Sequence, residues 1–184
     1  MGQADTKEQT ESAGQNSMQE ESNDAHQFLT FQLADEVYAI DILHVREIID
    51  YADPTVVPMM PKFIAGVINL RGSVVPVIDL AKRFGEQPTA ITKRTSVVVI
   101  ELENNGHPLE IGVIVDLVNE VLDIDDENIE PAPSFGASIR TDFISGMGNV
   151  GGKFLIILNV DKVLSLAELS VVEQVQSREE ICKD

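Results

Sequence analysis

Two carboxylates that stand at the end of apolar runs are the first candidates for chemistry. Asp79 ends the run VVPVI and Asp116 ends the run IGVIV. A carboxyl group buried in apolar surroundings has a raised pKa and can serve as a general acid or base. Strands expose alternate residues, however, so either side chain can point into solvent. Because no nucleophile stands beside them, an enzyme centred on Asp79 or Asp116 is only an alternative hypothesis.

Histidine, cysteine and glycine add no metal or nucleotide site. The histidines and the single cysteine are scattered, at His26, His44, His107 and Cys182. None of them pairs with another at a spacing that a metal ion requires. The glycine-rich run GMGNVGG leads into Lys153 and a strand, whereas a phosphate-binding loop leads into a helix. We therefore expect no metal, no cofactor and no catalysis, and we interpret the chain as a binding module.

The charge of the chain argues against two classes of partner. The 184 residues carry a formal net charge of −18, and both nucleic acids and anionic membrane surfaces are held by Lys and Arg. The sequence contains neither a signal peptide nor an apolar run long enough to cross a bilayer. We expect a cytoplasmic protein that does not insert into a membrane and does not bind nucleic acid.

Residues 1–26 form a polar, acidic extension. They hold six Asp and Glu residues against one Lys and almost nothing apolar, so they have little surface to bury. We predict a disordered tail that acts either as a spacer or as an interaction tail. The sequence favours the spacer over an interaction or solubility tail.

The stretch Phe63–Phe84, FIAGVINLRGSVVPVIDLAKRF, predicts a β-hairpin. β-branched and apolar residues lie on both sides of Arg71 and Gly72, which favours two strands over a buried helix. Gly72 suits the turn because glycine adopts positive φ at no steric cost. Pro76 lacks a backbone donor, so its strand is expected at an edge, at a strand start or at a bulge.

The same stretch recurs later in the chain. Phe143–Leu164, FISGMGNVGGKFLIILNVDKVL, aligns with Phe63–Phe84 without a gap, and LHVREII at Leu43–Ile49 resembles LVNEVLD at Leu117–Asp123. Identical residues occupy these pairs of positions: Phe63/Phe143, Ile64/Ile144, Gly66/Gly146, Asn69/Asn149, Gly72/Gly152 and Lys82/Lys162. The chain is therefore predicted to be a tandem duplication of one small β unit.

Positions at which the two copies differ separate structural from functional roles. The turn keeps its second glycine in both copies, but Gly151 stands where the first copy has Arg71. An arginine in a turn that folds without it is a candidate contact for a partner, because its planar guanidinium suits carboxylates. An ordinary solvated arginine is the alternative. Asp79 is matched by Asn159, so that position tolerates an uncharged amide.

The remaining elements follow the same plan. The run FLTFQLADEVYAIDI, which starts at Phe28, alternates apolar and polar residues around a turn, and Asn105-Gly106 is the strongest hairpin signal in the chain. Near the C-terminus, apolar residues recur at helical spacing, at Leu164, Ala167, Val171 and Val175. We predict an amphipathic helix over Asp161–Gln176 with Asp161 as its N-cap, followed by a frayed end.

The spacing of the strands indicates the fold class. Many short strands separated by Gly, Pro and Asn turns indicate an all-β fold. Two copies of a small unit favour two barrels packed together, because either alone would bury little apolar surface. We assign residues 27–84 and 92–165 to the two barrels, residues 27–172 to the whole folded domain and residues 173–184 to a fraying tail.

Together, these motifs resemble the CheW family of bacterial chemotaxis coupling proteins. The resemblance extends from about Phe28 to Val172 and rests on FIAGVINLRG followed by VPVIDL, on YAIDIL, and on Ile129–Pro133 with Phe143–Gly146. The same domain occurs in the kinase CheA and in CheV, but this chain has no room for a phosphotransfer, ATP-binding or receiver region. We therefore expect the stand-alone adaptor of the family.

The resemblance implies a fold and a function. It implies two five-stranded SH3-like barrels with an apolar interface, short helices and a C-terminal helix, and it allows strands to be exchanged between the barrels. It implies a non-catalytic adaptor that holds the histidine kinase CheA to the cytoplasmic tips of chemoreceptors, monomeric in isolation and part of large receptor arrays. A small-ligand sensor that uses the groove between the barrels is the alternative.

The resemblance also implies which residues face the receptor. The receptor-binding residues of the family correspond to Val45, Glu47, Gly66, Asn69 and Arg71. The comparison of the two copies agrees for Arg71, which the second copy lacks. Glu120 is interpreted as the counterpart of Glu47, and Gly146 as that of Gly66, so structural roles stay open for both. Kinase binding in the family uses the end of one barrel, and the sequence does not assign residues to it.

Overall fold

Strands dominate the computed structural model, which describes residues 25–132 and 141–181. The strands are β1 (Ala25–Leu33), β2 (Glu36–Asp41), β3 (Val45–Asp50), β4 (Ile64–Leu70), β5 (Ser73–Asp79), β6 (Ser96–Asn104), β7 (His107–Val115), β8 (Leu117–Asp125), β9 (Ile129–Glu130), β10 (Ile144–Val150) and β11 (Lys153–Leu158). The α-helices are α1 (Leu80–Arg83), α2 (Val160–Val163) and α3 (Leu166–Ile181). Short 3₁₀ turns lie at Ile42–His44, Asp126–Asn128 and Thr141–Phe143.

The strands form two mixed sheets. The five-stranded sheet has the order β3-β6-β7-β5-β4, and the six-stranded sheet has the order β8-β1-β2-β11-β10-β9. Neighbours pair antiparallel, except that β5 with β7 and β2 with β11 are parallel. The predicted all-β class with two SH3-like barrels is confirmed. The second barrel gains a sixth strand because the two-residue β9 pairs with β10.

Each copy contributes one β-hairpin to the barrel of the other copy. The first copy's hairpin β1–β2 pairs with β8 and β11 of the second, and the second copy's hairpin β6–β7 pairs with β3 and β5 of the first. The five-stranded barrel therefore spans residues 45–115, while the six-stranded barrel combines residues 25–41 with residues 117–158. The predicted limits of 27–84 and 92–165 coincide with neither barrel. Sequence similarity identifies related strands but not the copy with which each strand pairs.

The backbone hydrogen bonds follow the alignment of the two copies. The N–H of Asp79 donates to the carbonyl of Phe63, and the N–H of Asn159 donates to the carbonyl of Phe143, each at 2.8 Å. The helices α1 and α2 begin directly after Asp79 and Asn159. A register shift also interrupts β4 and β10 at the same place, just after the first residue of each strand. The second hairpins of the two copies are thus built alike.

One apolar core extends through both barrels. Fully buried side chains from both contribute to it, among them Phe31, Leu33, Ile40, Ile78, Ile100 and Ile111. A row of aromatic rings crosses it in the order Phe31, Tyr38, Phe84 and Phe143, with successive centroids 6.0, 5.8 and 5.6 Å apart. Because the burial of apolar surface is the main favourable term in folding, we expect neither barrel to be stable without the other.

Arg83 contacts residues of both copies and stabilises the junction between them. Its guanidinium lies 4.9 Å from the ring centroid of Phe63 and 5.0 Å from that of Phe143. The same group donates a hydrogen bond to the carbonyl of Val163 at 2.8 Å and pairs with Glu168 at 3.1 Å. The Arg83 side chain is only 16% exposed. The aromatic faces and the carboxylate together stabilise this largely buried cation.

The C-terminal helix differs from its prediction at both ends. It begins at Leu166 rather than at Asp161. The reason is a capping box, in which the N–H of Ser165 donates to the carboxylate of Glu168 at 2.6 Å and the N–H of Glu168 donates to the hydroxyl of Ser165 at 3.3 Å. The helix continues to Ile181, through most of the segment that was predicted to fray.

The N-terminal strand begins earlier than predicted. Strand β1 starts at Ala25, inside the segment 1–26 that was assigned to the acidic tail. Ala25 and His26 extend the ladder of β1 with β8, which explains the earlier start. The rest of the predicted tail, residues 1–24, lies outside the described part of the chain, as does Cys182.

Asp79 is a buried structural carboxylate. It is 5% exposed and ends β5. Its oxygens accept hydrogen bonds from the N–H of Lys82 at 3.3 Å, from the N–H of Thr89 at 3.1 Å and from the hydroxyl of Thr89 at 3.0 Å. Asp79 thus caps α1 and ties the following loop to the barrel. Asp116 has a comparable role, because it accepts the N–H of Ala34 at 2.9 Å in the turn between β1 and β2.

We predict that Asp79→Asn lowers the free energy of unfolding by about 1–3 kcal/mol, because a buried amide cannot replace a carboxylate that only accepts hydrogen bonds. Denaturant unfolding followed by circular dichroism measures the change. Asp116→Asn is the matched control and should cost clearly less, since its single hydrogen bond lies at an exposed turn. Equal losses at both positions would contradict the structural role of Asp79.

We also predict that Tyr38 makes the protein less stable at alkaline pH. Burial, with smaller contributions from Glu36 and Glu86, raises the pKa of the Tyr38 hydroxyl to about 12. The unfolded chain ionises first, at a pKa of about 10, so this contribution is intact below that pH and falls by up to about 3 kcal/mol as the pH rises to about 12. Unfolding curves should show a shallower decline for Tyr38→Phe than for wild type. An identical decline in both proteins would exclude Tyr38 as its source.

Candidate functional site

Arg71 and Gly72 form the two-residue turn between β4 and β5. Their φ angles are +52° and +89°, the pattern of a type I′ turn, in which both residues are left-handed. Gly151 and Gly152 adopt the same pattern between β10 and β11, with φ angles of +59° and +80°. The left-handed conformation costs a residue with a side chain roughly 1–2 kcal/mol. Arginine is thus a less favourable choice for this turn than glycine.

Asn69 supports the turn that presents Arg71. Its side-chain oxygen accepts a hydrogen bond from the N–H of Gly72 at 3.0 Å. Local hydrogen bonds of this kind are the reason that asparagine is common in turns. Asn69, which the resemblance assigns to the receptor surface, therefore has a structural role in shaping that surface.

Arg71 pairs with Glu47 across the seam of the five-stranded barrel. A guanidinium nitrogen of Arg71 and a carboxylate oxygen of Glu47 lie 2.8 Å apart. Strand β3 carries Glu47 and β4 ends just before Arg71, and these are the two edge strands of the sheet. The pair therefore joins edges that share no ladder. The Arg71 side chain is 79% exposed, and an ion pair so open to water contributes only about 0–1 kcal/mol to stability.

The register of the sheets shows that Glu120 is not the counterpart of Glu47. In the five-stranded barrel, Glu47 pairs with Val99, which lies five residues before the end of β6. In the six-stranded barrel, Leu122 pairs with Phe28, which lies five residues before the end of β1. Since β6 and β1 are corresponding strands of the two copies, Leu122 occupies the place of Glu47. A gap-free comparison of Leu43–Ile49 with Leu117–Asp123 pairs Glu47 with Val121. Neither that pairing nor the interpretation of Glu120 as the counterpart is correct, because β-bulges interrupt β3 and β8 at different points.

Both members of the ion pair are therefore specific to the five-stranded barrel. Leu122 and Gly151 stand at the equivalent positions of the six-stranded barrel, and neither carries a charge. Glu120 lies instead in the bulge of β8, where its carbonyl accepts the hydroxyl of Thr30 at 2.7 Å and its N–H donates to that hydroxyl at 3.3 Å. The fold therefore does not require charges at this seam.

Contacts within the fold explain much of why valine occupies position 45 and glycine occupies position 66. Val45 begins β3 and is half-buried against the shared core. Gly66 has a φ of +152° and leaves no room for a side chain, because a Cβ atom would lie 2.3 Å from the carbonyl oxygen of Thr55. Backbone hydrogen bonds of 2.8 and 2.9 Å hold Thr55 against Val67 at this point. Glycine at position 66 is thus required by a steric contact within the chain itself.

The six-stranded barrel carries a different open surface, beside the turn between β10 and β11. Phe154 and Val121 are 56% and 47% exposed. Phe154 lines a hollow of about 570 Å³ whose walls also include Val37, Leu122 and Leu155, and Val121 is the residue before Leu122 on β8. Exposed apolar side chains that border a concave surface are typical of protein interaction sites.

Sequence reasoning missed this apolar surface. Phe154 corresponds to Val74 of the first copy, which is only 6% exposed, because Val57 and Met60 of the connector pack over it. The available signal was an aromatic residue at a strand position where the other copy has valine. That signal does not distinguish a covered position from an open one.

The carboxylates that were considered for acid–base chemistry have structural roles. Asp79 and Asp116, the carboxylates considered for acid–base work, hold turns and loops through hydrogen bonds. Within residues 25–132 and 141–181, no three His, Cys, Asp or Glu side chains are grouped so as to hold a metal ion. No helix of that part combines the length and the apolar character that crossing a membrane requires. Nothing favours a small-ligand sensor, since Arg83 in the groove between the copies is already paired.

Comparison with known proteins places these features in a family. The CheW-like domain family matches residues 27–168. The chemotaxis protein CheW of Klebsiella aerogenes is 40% identical over 149 residues, which cover 81% of this chain and 87% of that protein. The chemotaxis protein CheW of Bacillus subtilis is 34% identical over 148 residues, which cover 80% of this chain and 92% of that protein.

A solved structure supports the same assignment. The crystal structure of the scaffolding protein TtCheW from Thermoanaerobacter tengcongensis matches with a TM-score of 0.70 and 36% sequence identity, over 78% of this chain and 90% of that one. The resemblance inferred from the motifs is thereby confirmed. By its sequence over residues 27–168 and by its pair of barrels, the chain belongs to the CheW-like domain family.

Proposed function

We propose that this chain is a non-catalytic adaptor of bacterial chemosensory signalling, which couples the histidine kinase CheA to the cytoplasmic tips of chemoreceptors. The observation that carries the proposal is the ion pair of Arg71 with Glu47. It lies at an exposed seam, adds little to stability and is absent from the equivalent place in the other barrel. Relatives that cover most of the chain are named chemotaxis protein CheW, and a solved neighbour is named a scaffolding protein.

In this proposal the receptor tip binds along the seam of the five-stranded barrel. Arg71 supplies an exposed guanidinium, Glu47 orients it and Val45 adds a partly apolar edge. Asn69 and Gly66 shape the turn and the adjoining strand. A guanidinium that is already held by a carboxylate loses less conformational entropy when a carboxylate of the partner binds it.

The kinase binds at the open surface of the six-stranded barrel. Phe154 supplies exposed apolar area at the hollow, and aromatic side chains at the centre of such patches carry a large share of the binding energy. The complementary surface belongs to the CheW-like domain of CheA, which the resemblance implies as the kinase's docking domain.

The two surfaces lie on different barrels, so one molecule can hold receptor and kinase at the same time. Small interfaces are individually weak, and assembly then depends on many simultaneous contacts. We expect a protein that is monomeric in isolation and that gathers in cytoplasmic arrays at its receptors. The unit that performs this role is the domain of residues 27–172.

We predict that Arg71→Gly raises the Kd for a receptor signalling-tip fragment by about tenfold or more, since it removes the contacting guanidinium. The variant should be at least as stable as wild type, because Gly151 adopts the same turn conformation in the other copy. Isothermal titration calorimetry measures binding, and thermal unfolding verifies the fold. Wild type that binds neither the receptor fragment nor CheA would contradict the adaptor function as a whole.

A charge swap distinguishes a partner contact from a purely structural pair. Arg71→Glu combined with Glu47→Arg keeps an ion pair at the seam but moves the cation from the turn to β3. If Arg71 contacts the receptor, the double variant should bind as weakly as Arg71→Glu alone. Recovery of wild-type affinity in the double variant would remove Arg71 from the receptor surface.

We predict that Phe154→Ser raises the Kd for a CheA fragment containing its CheW-like domain by about tenfold or more, because it removes the aromatic anchor of the apolar surface. Receptor-tip binding should stay unchanged. Ile48→Ser is the matched control, since Ile48 is 44% exposed on the five-stranded barrel, and it should leave kinase binding intact. If both substitutions weaken kinase binding, or neither does, the kinase surface lies elsewhere.

A further inference from the structure

The C-terminal helix α3 follows the second copy in the chain but packs on the five-stranded barrel, against β5. Its buried residues Leu169 and Val172 belong to the apolar core. In the described part of the chain, no equivalent helix follows the second hairpin of the first copy. There α1 ends at Arg83, Gly85 takes a φ of +82°, and the next element is β6. A barrel of this kind therefore does not require such a helix in order to fold.

A buried hydrogen bond fixes where α3 lies on the barrel. The side-chain amide of Asn104, the last residue of β6, donates to the carboxylate of Glu173 at 3.1 Å. Asn104 is 4% exposed, and the corresponding strand β1 ends in the equally buried but apolar Leu33. Leaving a buried amide without a partner costs free energy. The placement of α3 that brings Glu173 to Asn104 is therefore favoured over others.

A second hydrogen bond joins α3 to β7 where the strand ladder has stopped. Strands β5 and β7 pair only at Val77–Asp79 with Gly112–Ile114. The side-chain amide of Gln176 donates to the carbonyl of Glu110, which lies outside that ladder, at 3.0 Å. Because α3 also packs against β5, the helix connects the two strands beyond the point at which their own pairing ends.

The contacts of Glu173 and Gln176 lie at the end of the barrel that carries the proposed receptor surface. Strand β5 begins directly after the Arg71 turn, and β5 and β7 are parallel, so both strands begin at the same end. Asn104 precedes the turn from β6 to β7 and lies at this end too. The first turn of α3 lies at the opposite end, where Glu168 pairs with Arg83.

We propose that α3 positions the receptor surface, with Glu173 acting as a positioning residue through Asn104; the proposal rests on the adaptor function proposed above. Glu173 holds the end of β6, Gln176 holds β7 near its start, and the packing on β5 holds the strand that follows Arg71. A surface on a fixed frame loses less conformational entropy when a partner binds. None of these contacts involves Phe154, so the kinase surface should not depend on them.

Hydrogen exchange followed by mass spectrometry measures this positioning without any partner. In Glu173→Ala, backbone amides of β6 and β7 beside their shared turn should exchange about fivefold faster or more, while amides of β10 and β11 keep their wild-type rates. Glu173→Gln retains an oxygen that accepts from Asn104 and should restore slow exchange. Unchanged exchange in Glu173→Ala, or equal acceleration in both barrels, would overturn the proposal even if the adaptor function is correct.

Isothermal titration calorimetry measures the consequence for binding. Glu173→Ala should raise the Kd for the receptor-tip fragment by about fivefold or more and leave the Kd for the CheA fragment within about twofold of wild type. Glu173→Gln should bind both fragments as wild type does. Unchanged receptor binding in Glu173→Ala, or equal weakening for both fragments, would overturn the proposal. If wild type binds neither fragment, the adaptor function is wrong, while the exchange rates still decide whether Glu173 holds this end of the barrel.

Glu168→Ala is the matched control, since it removes a carboxylate from the same helix at the opposite end of the barrel. It breaks the ion pair with Arg83 and the capping box with Ser165, so it should lower the thermal stability at least as much as Glu173→Ala. At a temperature at which both variants are folded, its Kd for the receptor-tip fragment should stay within about twofold of wild type. If Glu168→Ala weakens receptor binding as much as Glu173→Ala does, α3 contributes only stability and the proposal is wrong.

Discussion

The exchange of hairpins between the two copies is the constraint on which the rest of the structure depends. Neither barrel closes from one copy alone, since β1–β2 completes the six-stranded barrel and β6–β7 completes the five-stranded one. The exchange merges the two apolar interiors into one core, which the row of rings from Phe31 to Phe143 crosses. Arg83 adds a polar fastening at the same junction. A binding face on either barrel is therefore set on a frame to which both copies contribute.

Because the same plan builds both barrels, equivalent positions are free to differ without loss of the fold. At the turn and the seam, the five-stranded barrel has Arg71 and Glu47 where the other has Gly151 and Leu122. Near the same turn, the connector between β3 and β4 covers Val74 of the five-stranded barrel, whereas the equivalent Phe154 of the six-stranded barrel is exposed. One barrel thus presents charge and the other apolar area. Surfaces of such different chemistry do not compete for one partner, which is what a coupling protein requires.

Local patterns were sufficient to predict the strands, the turns and the duplication, because alternation and glycine turns depend on neighbours in the chain. They could not assign the hairpins to barrels, since corresponding strands of the two copies offer the same edges. The wrong counterpart of Glu47 has a related cause, because a β-bulge is visible only in the ladder. The predicted start of α3 was wrong for a different reason: the helix begins after the capping box of Ser165 and Glu168 and not at Asp161. The exposure of Phe154 could not be predicted either, because the equivalent Val74 is buried by residues of the connector. That packing is tertiary information.

The energetics of the Arg71 turn explain why the ion pair can serve recognition. The left-handed conformation of Arg71 disfavours the folded state by roughly 1–2 kcal/mol relative to glycine, and its exposed pair with Glu47 returns about 0–1 kcal/mol. The fold therefore gains nothing from the arginine. For the same reason, a partner that binds this arginine would disturb the fold little. In the proposed receptor complex, Glu47, only 24% exposed on an edge strand, orients the guanidinium of Arg71 for a carboxylate of the partner.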